Sequence, residues 1–319
     1  MKVYTEAQVK AHYHMTDAIE DIEHLFKNMD AVSQTTRVVI PTGEGAKSML
    51  YMPCVHLGKQ QGIIKITSIT PENPQHHRPT TQANIIITDL QTGKHIASLD
   101  GSYLTRLRTG ALSGIASKYM SRTDSQTLGM IGTGGMAYEQ LLGNIAVRPI
   151  KKVLLYNRTV DKATAFQARV SEQHPDVDFE VVTDVSELVK RSDIINCQTQ
   201  SLTPVFNADD IQKGTHINGI GSYRPEMKEM DNRLFPHASQ IVFDDLEGVK
   251  EEAGEFIEAD EKGLFSFDQH DDDLKSLSLN GQITRHDDSI TVFKCVGAAH
   301  FDLAVALGAW DKLNSIEND

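Results

Sequence analysis

Apolar positions Val9, Tyr13, Ala18, Ile22, Leu25 and Phe26 recur at helical spacing, which predicts a helical region over residues 5–29 with a break near Thr16. Beyond it the period shortens. Short β-rich runs at 37–40, 48–52, 62–67 and 83–87 are separated by Gly, Pro and polar clusters, and a run at 95–99 follows the Thr92-Gly93 turn. Together they predict a mostly antiparallel sheet. Residues 102–120 return to a helical pattern with small residues on one side.

The second half alternates strands with short helices. Leu128, Met130 and Ile131 have the composition of a strand entering a parallel sheet, and the run stops at Gly132-Thr133-Gly134-Gly135-Met136-Ala137 before a helix begins. This is G-x-G-x-x-A. The first Gly allows the tight turn, the second lets a pyrophosphate approach the backbone, and the small third residue lets helix and strand pack closely. The helix N-terminus adds free N–H groups and the positive end of its dipole. A run at 152–156 follows after one helix and one loop, the length of a βαβ unit. Runs at 179–182, 193–197, 216–220 and 240–244, with a short helix over 186–190, continue the winding. After residue 289 come a short strand, a glycine and an amphipathic helix expected to pack back on the N-terminal region. The predicted class is α/β: a doubly wound Rossmann domain that binds a dinucleotide, joined to an α+β domain.

Size and composition narrow the function classes. A chain of 319 residues fits two ordinary domains, and 39% hydrophobic with 24% charged residues is a globular composition. No apolar run approaches the ~18 residues of a membrane span, and Met1-Lys2 leads into polar Thr5-Glu6 rather than the apolar core of a signal peptide, so the cytoplasm is the expected location. A net charge of −13 from 31 basic and 44 acidic residues argues against nucleic acid and anionic membranes as partners. Cys54, Cys197 and Cys295 are widely spaced and read as reduced, mostly buried thiols. No metal site is expected. His12, His14 and His24 have no accompanying ligand cluster, the acidic stretch from Asp244 to Glu255 matches no calcium loop and reads as a solvated helix face, and His270-Asp271-Asp272-Asp273 reads the same way.

Several residues carry candidate chemistry. Lys65 stands among Ile63, Ile64, Ile66 and Ile69, where an unpaired ammonium is costly. Two readings are open: alternation turns it to the wet face of a half-buried strand, or it is a cationic active-site group. Arg106 and Arg108 point in different directions on their helix, so that one stays in water while the other faces a ligand. Gly110, after Thr109, either lets something approach the backbone or serves helix packing. At the end of the second Rossmann strand, NAD enzymes carry an acid for the ribose hydroxyl, whereas NADP enzymes supply an Arg for the 2′-phosphate. Here Asn157-Arg158-Thr159 stands at that place with Lys162 behind it, which favours NADP(H) over NAD(H). Thr199, after the 193–197 run, falls at the carboxyl end of a strand, where ligands sit in such sheets.

With these residues in view, the chain resembles the ornithine cyclodeaminase/mu-crystallin family. The matches run nearly its whole length: Arg37 ahead of Met52-Pro53, Lys65 in its strand, Thr92-Gly93, Thr105-x-x-Arg108-Thr109, Gly132-x-Gly134, Gly219-Ile220-Gly221 followed by Pro225 and Glu229, and Val292-Phe293-Lys294-x-Val296-Gly297-Ala298-Ala299 with Asp302 near the end. The resemblance implies a substrate-binding and dimerisation domain from residues 1–115 with 291–319 and a Rossmann domain from 116–290. It implies a homodimer built through the N-terminal sheet, and an amino- or imino-acid substrate met by Arg37, Lys65 and Arg108. The family's shared chemistry is hydride transfer between a nicotinamide and the α-carbon of an amino acid or its imine.

One departure stands out. Where cyclodeaminases of the family carry an Asp two residues beyond Gly221, this chain has Tyr223, and a phenol with a reference pKa of about 10 does not replace a carboxylate base. The resemblance therefore implies an NAD(P)H-dependent reductase of a cyclic imino acid, Δ1-pyrroline-2-carboxylate or Δ1-piperideine-2-carboxylate, giving proline or pipecolate. Lys65 and Tyr223 are its candidate catalytic residues. An ornithine cyclodeaminase, an alanine dehydrogenase and an NADPH-holding binding protein of the mu-crystallin kind are the alternatives.

Overall fold

The computed structural model describes residues 1–43, 47–270, 272–281 and 286–318. Asp271, in the predicted acidic cluster, lies outside them. The chain divides into two compact units, Met1–Arg108 with Ala298–Asp319, and Thr109–Gly297.

The first unit is built on a seven-stranded sheet. Its strands are β1 (Lys2–Tyr4), β2 (Val32–Gln34), β3 (Val38–Pro41), β4 (Ser48–His56), β5 (Gln61–Ile69), β6 (Thr81–Asp89) and β7 (His95–Asp100), in the order β1-β7-β6-β5-β4-β2 with β3 also paired to β4. Only β1 runs parallel to its neighbour. The helices α1 (Glu6–His12) and α2 (Met15–Phe26) precede the long strands. The break between them falls at Tyr13-His14 rather than near Thr16. The Asp17 carboxylate accepts from the His14 backbone N–H and starts α2 there, while the buried Tyr13 hydroxyl donates to Asp21. Burial alternates along β4, with Leu50, Met52, Cys54 and His56 on the covered side. Met52 pairs with Lys65 across the ladder, so the pleat turns Lys65 to that same side.

The second unit is a doubly wound α/β sheet. Its strands are β8 (Thr127–Ile131), β9 (Lys152–Tyr156), β10 (Asp178–Val181), β11 (Ile194–Cys197), β12 (His216–Gly219), β13 (Gln240–Phe243) and β14 (Thr291–Lys294). The order is β10-β9-β8-β11-β12-β14-β13, all parallel. The inner strands β8, β11, β12 and β14 are buried at nearly every position because both faces are covered. The long helix α3 (Gly101–Met120) leads into this unit, and α4 (Ala137–Val147) follows β8. A Cβ on Gly114 would lie 2.6 Å from the carbonyl oxygen of Gly143, and one on Gly143 would strike that of Gly110. Gly110 therefore serves close helix packing.

Two assignments from the pattern are corrected. Residues 291–297 belong with the second unit, since β14 is inserted between β12 and β13, fully buried along its length; the C-terminal helix that joins the first unit begins only after them (Ala299–Asn318). The acidic stretch is not one solvated face. Glu247 and Glu251 are exposed, but Asp244 is buried and accepts from the backbone N–H groups of Val296 and Gly297, and Glu255 has no exposed surface. Backbone donors and Lys294, all remote in sequence, make these burials tolerable.

Candidate functional site

In the second unit the strand order reverses between β8 and β11, and the loops leaving their carboxyl ends build the candidate cofactor site. Gly132 ends β8 at φ +100°, and a Cβ there would meet Thr199 Cγ2 at 3.0 Å and the Gln198 carbonyl at 3.1 Å. Both the turn and its neighbour thus demand a glycine. At Gly134 and Gly135 the situation is opposite, since a Cβ would meet nothing within 4 Å. Met136 is the N-cap of α4, and Ala137, fully buried, opens it. Asn157 ties the turn to β9: its Oδ1 accepts from Thr133 N at 3.2 Å and its Nδ2 donates to the Thr159 carbonyl at 2.9 Å. Arg158 is exposed beside it, and Thr159 is the N-cap of α5 (Val160–Gln173). The Thr133 and Thr199 hydroxyls are buried without a hydrogen-bond partner among the described residues. Open space over two glycines, two orphaned hydroxyls and a helix N-terminus fit a dinucleotide's phosphates.

The loops after β11 and β12 are pinned from beneath. The Glu229 carboxylate accepts from the backbone N–H groups of Thr199, Gly221 and Ser222. Burial pushes its pKa up, opposed by Lys294. Lys294, on β14 and wholly buried, donates to the Ser222 carbonyl at 2.6 Å and also to its hydroxyl, and lies 3.1 Å from Glu255. Tyr223, half-buried, follows this anchored residue, and its hydroxyl accepts from Gln200 Nε2 at 3.4 Å. The pinning role of Glu229, Lys294 and Glu255 was not anticipated; a lysine within Val292-Phe293-Lys294 was the available sign, since it is as odd in its strand as Lys65.

In the first unit the candidate substrate-binding groups are cations around one carboxylate. Lys65 is 2% exposed, so the wet-face reading is overturned. Its Nζ donates to Asp302 Oδ2 at 2.5 Å, and Arg108 Nε donates to Asp302 Oδ1 at 3.3 Å. Burial, reinforced by Arg108 and Arg37 and opposed by Asp302, lowers the Lys65 pKa to about 8. Burial would raise that of Asp302, but Lys65 and Arg108 outweigh it and hold the carboxyl below its usual range. The Cys54 thiol is pushed up to about 12, by burial first and by Asp302 second, which leaves it inert as a nucleophile. Arg106 instead pairs with Glu6 at 2.6 Å on the partly exposed side of α3. Thr109 follows Arg108, buried, and its carbonyl accepts from Ser113. Asp302 was not among the expected site residues. Its only local sign is a carboxylate set between Phe301 and the apolar run Leu303–Leu307.

Chemically, the first unit offers guanidinium groups suited to a carboxylate and an ammonium that can release its proton near neutral pH. The second offers a phosphate cradle. Among the described residues no group of three or more His, Cys, Asp or Glu could hold a metal ion, and no helix is long and apolar enough to cross a membrane.

Known proteins resemble this chain over nearly its whole length. A Δ1-pyrroline-2-carboxylate reductase of Bacillus cereus is 37% identical over 295 residues, 92% of this chain and 90% of the relative. The structure of the Thermococcus litoralis Δ1-pyrroline-2-carboxylate reductase in complex with NADH and L-proline superposes with a TM-score of 0.95 at 29% identity, covering 99% of this chain and 98% of that one. An archaeal alanine dehydrogenase dimer with bound NAD gives a TM-score of 0.90, also at 29% identity, over 99% and 97% of the two chains. The sequence pattern of the ornithine cyclodeaminase/mu-crystallin family matches residues 1–317. With its glycine turn, its Lys65 strand and its closing helix all inside that match, the chain belongs to the ornithine cyclodeaminase/mu-crystallin family.

Proposed function

We propose that the protein is an NAD(P)H-dependent reductase of a cyclic imino acid, Δ1-pyrroline-2-carboxylate or Δ1-piperideine-2-carboxylate, yielding proline or pipecolate. The observation that carries this reading is the buried Lys65 ammonium, held beside Arg108 by a single carboxylate. Arg108 and Arg37 bind the substrate carboxylate. Lys65 holds a proton at the imine nitrogen, so that the electron pair leaving the C=N bond is received as an N–H bond. The reduced nicotinamide supplies the hydride that the imine carbon takes. Gly132, Thr133, Gly134, Gly135, Met136 and Ala137 cradle the pyrophosphate, with Thr109 and Thr199 as further cofactor contacts. Asn157, Arg158 and Thr159 meet the ribose end, where the Arg158 charge favours NADP(H) over NAD(H). Tyr223 is the second catalytic candidate beside Lys65.

The test is to mix protein, NADPH or NADH and each cyclic imine while following absorbance of the reduced nicotinamide. Oxidation faster with NADPH supports both parts of the reading; none with either imine sinks it. The likeness to the alanine dehydrogenase favours a second reading, reduction of pyruvate with ammonium, which the same assay separates. Ammonia released from ornithine with catalytic NAD would instead mark a cyclodeaminase, and tight NADPH binding without turnover a binding protein.

The active form in this reading is a cytoplasmic homodimer. Three free, buried cysteines suit a reducing compartment. Val38 and Ile40 are 51% and 47% exposed on β3, on the same sheet face as the partly exposed Tyr51, Ile64 and Ile66, and a contiguous apolar surface of this kind calls for a second copy. Sedimentation of the protein alone tests this.

A further inference from the structure

Both buried cations of the first unit converge on Asp302. Its Oδ2 takes Lys65 Nζ and its Oδ1 takes Arg108 Nε. Asp302 has no exposed surface, and burying a carboxylate is costly unless ion pairs and hydrogen bonds of good geometry compensate it. Lys65, Arg108 and Arg37 all favour its ionised form, which accounts for the charge but not for the placing of one cation on each oxygen. Geometry supplies a reason. The two oxygens of one carboxyl group are a fixed distance apart, so a cation tied to each is held in one spacing and orientation relative to the other. An α-imino acid poses the matching problem, since its nitrogen and its carboxylate are separated by a fixed, short set of bonds.

We infer that Asp302 is the positioning residue of this site, fixing the Lys65 ammonium relative to the Arg108 guanidinium and keeping the proton on Lys65 for the imine nitrogen. This deepens the reductase reading and rests on it. The charged groups that act on Lys65 are Asp302 from the C-terminal helix, Arg108 from α3 and Arg37 ahead of β3, while Cys54 of β4 faces Asp302. Of these, Asp302 is the one that favours the ammonium; burial and both arginines oppose it. An ammonium has three N–H donors, and Asp302 accepts one of them.

The experiment compares the full-length protein with Asp302→Asn and Asp302→Glu. In the first measurement, NMR of 15N-lysine-labelled protein follows the Lys65 amine with pH, its signal assigned by loss in Lys65→Met; this needs no turnover. The wild-type midpoint is expected at about 8, the Asn variant lower by about one pH unit or more, and the Glu variant close to wild type. In the second, the alkaline limb of kcat/KM for the imine moves down by the same amount with Asn. With Glu the limb stays, but kcat/KM falls by about tenfold or more because the longer arm displaces both cations. NADPH affinity, read by fluorescence, stays within about twofold in both variants. An Asn variant whose Lys65 midpoint or alkaline limb matches wild type overturns the inference. If Asp302→Asn does not fold, the Glu variant decides, and unchanged kcat/KM there overturns it. Should the wild type reduce no imine, the reductase reading fails while the NMR midpoints still report whether Asp302 holds the proton on Lys65.

Discussion

Two lysines are buried in strands of this protein, one in each unit, and they are treated differently. Lys294 on β14 is surrounded by oxygen: the Ser222 carbonyl and hydroxyl, with Glu255 at 3.1 Å. Lys65 on β5 bonds one carboxylate, which it shares with Arg108, and two arginines bear on it electrostatically. A cation with its donors satisfied by fixed neighbours is a clamp, and removing it leaves a buried carboxylate behind. A cation that shares its single counter-charge has a proton it can release, which is what a reaction needs.

The sharpest way to break the contrast is to remove each lysine in turn. Lys65→Met is expected to lower kcat/KM for the imine by about 10²–10⁴-fold with NADPH affinity retained, measured by initial rates and fluorescence titration. Lys294→Met is expected to destabilise the fold by about 3–5 kcal/mol in urea unfolding, because Glu255 loses its charge partner and the Ser222 loop its anchor. Exchanged outcomes, with stability lost at 65 and turnover at 294, would reverse the assignment. A smaller effect separates the two arginines of α3. Arg108→Ala should raise KM for the imine by about 10–100-fold, as removal of a charged hydrogen-bond donor does, whereas Arg106→Ala, which loses the partly exposed pair with Glu6, should change it by less than about fivefold. The smallest effect lies at the rim of the cofactor turn. Arg158→Ala should weaken NADPH binding by about fivefold and leave NADH binding unaltered; equal losses for both would remove the basis for the NADP preference.

Some features were legible because their physics is local. The turn from Gly132 to Ala137 declares itself within six residues, since backbone conformation and close packing restrict those positions directly. The α/β class was equally visible in the alternation of apolar runs and short helices. Lys65 was visible as an anomaly and no more. Which face of β5 it occupies depends on what covers that face, and residues distant in sequence decide this. The same applies to the acidic stretch, where exposed Glu247 and buried Asp244 and Glu255 look alike in composition. It applies also to β14, whose short apolar run did not announce that it completes a sheet begun more than a hundred residues earlier.

By itself, then, the sequence determined the class of fold, the glycine turn, the family and the hydride chemistry the family shares, because each is written in contiguous residues or in their order along the chain. The tertiary structure alone decided that Lys65 is buried, that Asp302 is its partner across 237 positions of sequence, and that Lys294 is anchored where Lys65 is poised. The physical reason is that a charge takes its energy from whatever surrounds it in space, and packing brings those surroundings together from parts of the chain that no local pattern connects.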